Sequence, residues 1–182
     1  SRRRNPQYDY PVLRRSWIYQ ISEQLRGDPE NLTRLLNMYF TKMTDRILEN
    51  GGTIDKYMGD AVMAFWNAPL DDPEHARYCC DAALEMLDGM AKLNIKLLEE
   101  AEKEGRIHVP MQVGIGLNTG DCLVGNFGSE HRLNYSVMGD AVNVASRLES
   151  QQKTYGVTLI IGQETHGLVP EYASLELDLI QV

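Results

Sequence analysis

Three cysteines among 182 residues leave no room for a disulfide framework. Their count is odd, and Cys79 and Cys80 are adjacent where a zinc or redox pair needs two residues between them. This usage points to a reducing compartment, the cytoplasm. The four histidines, His75, His108, His131 and His166, stand too far apart for a local metal-ligand spacing, so no zinc site is expected. Long apolar runs are lacking too, which excludes a membrane span or signal peptide within the sequence and leaves a sensor or membrane anchor outside it open. Positive charge is short: 18 Lys plus Arg face 26 Asp plus Glu, a formal charge of -8. Neutralising phosphates along a nucleic acid needs clustered cations, so no nucleic-acid partner is expected. The clusters Arg2–Arg4 and Arg14–Arg15 fall in residues 1–20, which read as an irregular, solvated segment.

What is present suffices for one domain. With 43% apolar residues, a chain of this length buries roughly 70% of its unfolded surface on folding and needs no metal to hold a core. Leu32, Leu35, Leu36, Tyr39, Phe40, Met43 and Ile47 recur at helical spacing between Asp28, a good N-cap followed by Pro29, and the Gly51-Gly52 stop. Thr53 to Tyr57 and Ala61 to Trp66 read as two strands of a hairpin with Asp60 exposed at its tip. After Asp71-Asp72-Pro73, a second helical face runs from Ala76 through Cys80, Leu84, Leu87, Met90, Leu93 and Leu97 toward Gly105. His108 to Asn118 reads as a strand with Val109, Met111, Val113, Ile115 and Leu117 on one face, and with Gly114 and Gly116 leaving the other face bare for a backbone or a ligand.

Asn118-Thr119-Gly120 is expected to turn the chain into strands at Cys122 to Phe127 and Leu133 to Met138. A helix from Asp140, its expected N-cap, to about Gln152 follows, then a short strand at Val157 to Ile161 and a helical turn at Glu164 to Leu168. A final strand alternates Ala173, Leu175, Leu177 and Leu179. The class is α/β or α+β, a sheet covered on one face by long helices. The pentapeptide Met-Gly-Asp-Ala-Val occurs twice, at Met58 to Val62 and Met138 to Val142, once entering a strand and once a helix.

Several residues are suited to chemistry. Lys56 and Asp60 put a cation and a carboxylate at one hairpin tip: either an exposed ion pair of little energetic weight, or a nucleotide-recognising lysine beside a Mg²⁺ ligand. Asn143 and Arg147 share a helix face. A guanidinium suits charge developing on phosphate oxygens and an amide can orient a ribose, although polar packing explains the pair equally when it is taken alone. Ser136 can exchange a hydrogen bond with a base, or be an ordinary strand serine.

Taken together, Thr53 to Trp66 (TIDKYMGDAVMAFW), Val113 to Gly120 (VGIGLNTG), Val124 to Ser129 (VGNFGS) and Tyr135 to Glu149 (YSVMGDAVNVASRLE) closely resemble, in this order, the catalytic domain of class III nucleotidyl cyclases. The resemblance covers residues 21–182, and Phe65 to Ala76 (FWNAPLDDPEHA) looks most like the bacterial adenylyl cyclases of the class. It implies a ferredoxin-like α/β core, a head-to-tail homodimer with each site divided between the chains, ATP as substrate, cyclic AMP and pyrophosphate as products, and two Mg²⁺ or Mn²⁺ ions per site. By position, Asp60 resembles a metal-binding aspartate, Lys56 and Ser136 the base-selecting pair, and Asn143 and Arg147 the pair that stabilises the transition state. Guanylyl cyclases usually carry Glu and Cys where Lys56 and Ser136 stand, so the pair favours adenine, with guanylyl cyclase the alternative.

Two departures from the family lie near the ends. The first metal aspartate, carried in relatives on a pattern like Phe-x-Asp-Ile-x-Gly-Phe-Thr, is not recognisable in Val12 to Gln20 (VLRRSWIYQ), where the matching position is Arg14; Asp9 has the wrong spacing. Either this is a variant without the first metal strand, or segments of a longer sequence are joined here. Leu177 to Val182 stops just before the family's usual phosphate-contacting Lys-Gly-Lys. A catalytically silent nucleotide-binding or dimerisation module is therefore the second reading. A diguanylate cyclase or polymerase palm is disfavoured for want of a Gly-Gly-Asp/Glu-Glu-Phe signature.

Overall fold

The computed structural model describes residues 7–14, 28–108 and 110–179, the first of these as backbone. Strands β1 (Gln7–Arg14), β2 (Thr53–Met58), β3 (Ala61–Phe65), β4 (Gly114–Asp121) and β7 (Leu159–Ile161) form one sheet in the order β2-β3-β1-β4-β7. Only β4 and β7 run parallel. Strands β5 (Leu123–Ser129) and β6 (Arg132–Met138) make a separate antiparallel hairpin. The helices are α1 (Pro29–Glu49), α2 (His75–Lys103), α3 (Asp140–Tyr155) and α4 (Gln163–Leu168).

The two long helices cover one face of the sheet. Tyr39, Met43 and Ile47 of α1 and Cys79, Ala83, Met86 and Met90 of α2 share a core with Val62, Ala64, Ile115 and Leu117 of the sheet. The start of α1 is as expected, since the Asp28 carboxylate accepts a hydrogen bond from the Asn31 amide at 3.0 Å and Pro29 opens the first turn. Cys79 and Cys80 are buried there as small apolar residues.

The glycine face of β4 is taken by a backbone. Helix α3 lies so close that a Cβ at Gly116 would overlap the Ala145 carbonyl oxygen and the Glu149 amide nitrogen. Ala141 and Ala145 continue this contact in a second cluster with Met63, Phe65 and Val137. Small residues on both partners are what allow the close approach.

Four local expectations are corrected. Gln7–Arg14 is not irregular but forms strand β1, inserted between β3 and β4. Pro11 argues against a central strand because it cannot donate to a ladder, yet β3 pairs with β1 only at Val12 and Leu13, so Pro11 precedes that ladder and has β4 as its neighbour. The remainder of residues 1–20 lies outside the described residues. Strand β4 begins at Gly114 rather than His108 and runs through Asn118-Thr119-Gly120 to Asp121, because β1 pairs with it along its whole length and carries it past the expected turn. Asp140 is the first helical residue of α3 and Gly139 caps it. Ala173 to Leu179 forms no strand among the described residues; Leu175 and Leu179 are exposed, and Tyr155 Oη donates to the Asp178 carboxylate at 3.1 Å. Just before it, the Tyr172 hydroxyl donates to Asp81, and burial together with that carboxylate raises the phenol's pKa well above its ordinary value.

Candidate active site

The β2-β3 hairpin sets the site. Gly59 takes a left-handed conformation, φ 62°, and with Asp60 makes the two-residue tip between Met58 and Ala61. Asp60 is half-buried rather than exposed: its Oδ2 is shielded from solvent and, among the described residues, accepts no hydrogen bond. An unsatisfied carboxylate oxygen has a strong physical incentive to find a cation or a donor. The register also brings the end of β1 to this tip. Leu13, the last β1 residue paired with β3, faces Val62, two positions from Asp60. Asp9 pairs with Thr119, farther back along β1, which removes it from the tip.

Strand β2 is one residue longer than its partner. Ile54 pairs with Ala64 and Lys56 with Met63, leaving Asp55 as an inserted bulge residue. Lys56 Nζ donates to Ser136 Oγ on β6 at 3.3 Å and lies 3.5 Å from Asp55 Oδ1. Ser136 is 3% exposed, so its hydroxyl is fixed in a wall, while about half of the Lys56 side chain stays open to solvent. The sequence separates these two residues by eighty positions; the fold brings them together.

Asn143 and Arg147 lie on the exposed face of α3, one turn apart, opposite the Ala141, Ala145 and Leu148 face that packs inward. Among the described residues no hydrogen bond or ion pair joins either of them to Asp60, Lys56 or Ser136. The expected set thus falls into three places on one chain: the hairpin tip, the Lys56-Ser136 pair and the α3 face.

A divalent cation fits the tip in part. Mg²⁺ takes oxygen ligands and is commonly held by one or two carboxylates plus substrate phosphates and water, which the open oxygen of Asp60 suits. Among the described residues no group of three or more His, Cys, Asp or Glu side chains is placed to hold an ion. One ion sharing Asp60 with a phosphate ligand matches these donors.

Sequence reasoning passed over Asp55. Its side chain is completely buried and both of its oxygens lack hydrogen bonds among the described residues. No sequence signal marks it, because the extra residue of β2 shows only in its pairing with β3.

Comparison with known proteins converges on one assignment. The family model described as the adenylate and guanylate cyclase catalytic domain matches residues 18–174. Adenylate cyclase 1 of Rhizobium meliloti is 36% identical over 144 residues, 79% of this chain and 21% of that protein. The adenylate cyclase of Anabaena cylindrica is 37% identical over 153 residues, 82% of this chain and 29% of that protein. The chain therefore spans less than a third of the length of these relatives. Among solved structures, the adenylyl cyclase CyaB from P. aeruginosa superposes with a TM-score of 0.74 at 33% identity, covering 91% of this chain and 81% of that one. The guanylyl cyclase Cya2 gives 0.75 at 32% identity, covering 90% and 78%. A sheet whose β2-β3 hairpin carries Lys56 and Asp60, and whose glycine-bearing strand seats the helix of Asn143 and Arg147, thus has the sequence and the fold of one family, and the chain belongs to the class III adenylate and guanylate cyclase catalytic domains.

Proposed function

We propose that the chain is an adenylyl cyclase catalytic domain that converts ATP to 3′,5′-cyclic AMP and pyrophosphate. The observation that carries the choice of base is the Lys56 ammonium held 3.3 Å from the Ser136 hydroxyl. Adenine presents a ring-nitrogen acceptor beside an amino donor. An ammonium donates to the first and a serine oxygen accepts from the second. Guanine presents the opposite order, a ring N–H donor beside a carbonyl acceptor, and sets its N–H against an ammonium that has no lone pair to offer.

The remaining roles follow from charge. Arg147 would neutralise charge that grows on the phosphate oxygens as the ribose 3′-hydroxyl attacks the α-phosphorus, and Asn143 would orient the ribose. A cation at Asp60, when bound, lowers the pKa of that hydroxyl and draws charge from the phosphates.

Division of each site between two copies of the chain is part of the proposal. It is supported by the lack, among the described residues, of any hydrogen bond or ion pair between Asp60 and Asn143 or Arg147. It is also supported by apolar residues exposed on the β5-β6 hairpin, Leu123 at 66%, Leu133 at 61% and Met138 at 54%, which a second copy would cover. Cytoplasmic placement is proposed from the cysteine usage; among the described residues, no helix is long and apolar enough to cross a membrane.

A second reading, a silent nucleotide-binding module, rests on the sequence: Arg14 stands at the position where the family's pattern carries its first metal aspartate, and a cation does not ligate a divalent ion. Assay of cyclic product from ATP and from GTP separates the two readings.

A further inference from the structure

In a regular strand, residues two apart share a face. Ile54 and Lys56 do not. Ile54 pairs with Ala64 and packs with the α1 and α2 core, whereas Lys56 pairs with Met63, which belongs to the cluster on the α3 side. The inserted Asp55 makes the switch, and Tyr57, paired with Val62, returns to the helix side, where its ring meets Phe40 at 5.0 Å. Without the bulge, the Lys56 side chain would enter the apolar core beneath α1.

The bulge residue also carries the charge that complements the lysine. Asp55 has no exposed side-chain surface, and neither of its oxygens accepts a hydrogen bond among the described residues. Its one cationic neighbour among those residues is Lys56 Nζ at 3.5 Å. A buried carboxylate with so few partners opposes folding, and an alanine or asparagine there would be expected to cost the fold little. The ammonium, by contrast, gains a fixed position: carboxylate on one side, Ser136 hydroxyl on the other, and the rest of it open to a ligand.

We infer that Asp55 is a positioning residue for base recognition, which aims Lys56 through the bulge and holds its ammonium through charge, so that the lysine meets an adenine acceptor already oriented. This rests on the adenylyl cyclase reading and deepens it: discrimination of ATP from GTP would reside in the triad Asp55, Lys56 and Ser136 and not in the last two alone.

The test is a double-mutant cycle. Asp55→Asn, Lys56→Met and the double variant are compared with the parent for binding of non-hydrolysable ATP and GTP analogues, with thermal unfolding and the kcat for ATP measured alongside. Asp55→Asn should lower the ATP-over-GTP affinity ratio by about tenfold while leaving kcat and the unfolding temperature close to the parent's. In the Lys56→Met background the same substitution should leave the ratio within about twofold, because there is no ammonium left to position. An unchanged ratio with Lys56 intact, or an equal change in both backgrounds, overturns the inference and leaves the adenylyl cyclase reading standing. A parent that binds both analogues equally, or neither, overturns that reading and the inference with it. If the asparagine variant does not fold, Asp55→Ser carries the same comparison.

Discussion

The Lys56 ammonium and the Ser136 hydroxyl, 3.3 Å apart, come from different sheets: β2 of the five-stranded sheet and β6 of the β5-β6 hairpin. Their contact makes the proposed base-binding wall a property of how the hairpin is set against the sheet. Replacing both, Lys56→Glu with Ser136→Cys, reverses the charge and removes the strong acceptor. Competitive turnover of ATP and GTP by this double variant should move toward GTP. The parent's ratio, retained, would show that the pair does not read the base.

The seat of α3 on β4 is testable through stability. A methyl group at Gly116 meets backbone atoms of Ala145 and Glu149, which cannot rotate away. Gly116→Ala should therefore destabilise by about 1–3 kcal/mol. At roughly 2–4 °C per kcal/mol for a domain of this size, thermal unfolding would fall by several degrees. Gly89→Ala serves as the control, since a Cβ there meets nothing within 4 Å and it lies inside α2; it should be neutral or slightly stabilising.

Arg147 and Asn143 are exposed on α3, free to meet a substrate rather than spent on packing. Contacts that strengthen only as charge develops lower kcat when removed and leave binding nearly intact. Arg147→Ala and Asn143→Ala are each expected to reduce kcat about a hundredfold with little change in ATP affinity. A loss confined to KM would assign them to ground-state binding.

The proposed division of each site between two copies predicts complementation. Asp60→Ala and Arg147→Ala should each be inactive alone and partly active when mixed, because a mixed dimer holds one site with both residues intact. With random exchange, activity should recover to roughly a quarter of the parent's. No recovery despite demonstrated exchange of subunits would place both residues in one site or deny the dimer its role.

Much of this arrangement was legible before folding, and the exceptions have identifiable causes. Helices α1 and α2 announce themselves because their apolar residues repeat at helical spacing over 21 and 29 residues, long enough to outweigh local noise. The hairpin, and the close approach at Gly116, were readable from turn glycines and from strand glycines facing away from the core. Strand β1 was not, since Pro11 and the flanking arginines are local signals against a strand and pairing with β4 overrides them. The tail after Tyr172 failed in the opposite sense: its alternation fits a strand, but alternation alone supplies no pairing partner, and none is formed there among the described residues. At the site, residue types pointed to Lys56, Asp60, Ser136, Asn143 and Arg147, while Asp55 emerged only from register, because a bulge is a relation between two strands and has no residue type of its own.

The most direct measurement is production of 3′,5′-cyclic nucleotide by the purified chain supplied with ATP or GTP and a divalent cation, with binding of each nucleotide followed in parallel. The account predicts cyclic AMP in excess of cyclic GMP, a rate that rises with protein concentration more steeply than first order in the range where dimers form, and loss of product on Asp60→Ala. Binding of ATP that depends on Lys56 but yields no cyclic AMP at any protein concentration would contradict it, and would make the chain a nucleotide-binding module of the cyclase family rather than a cyclase.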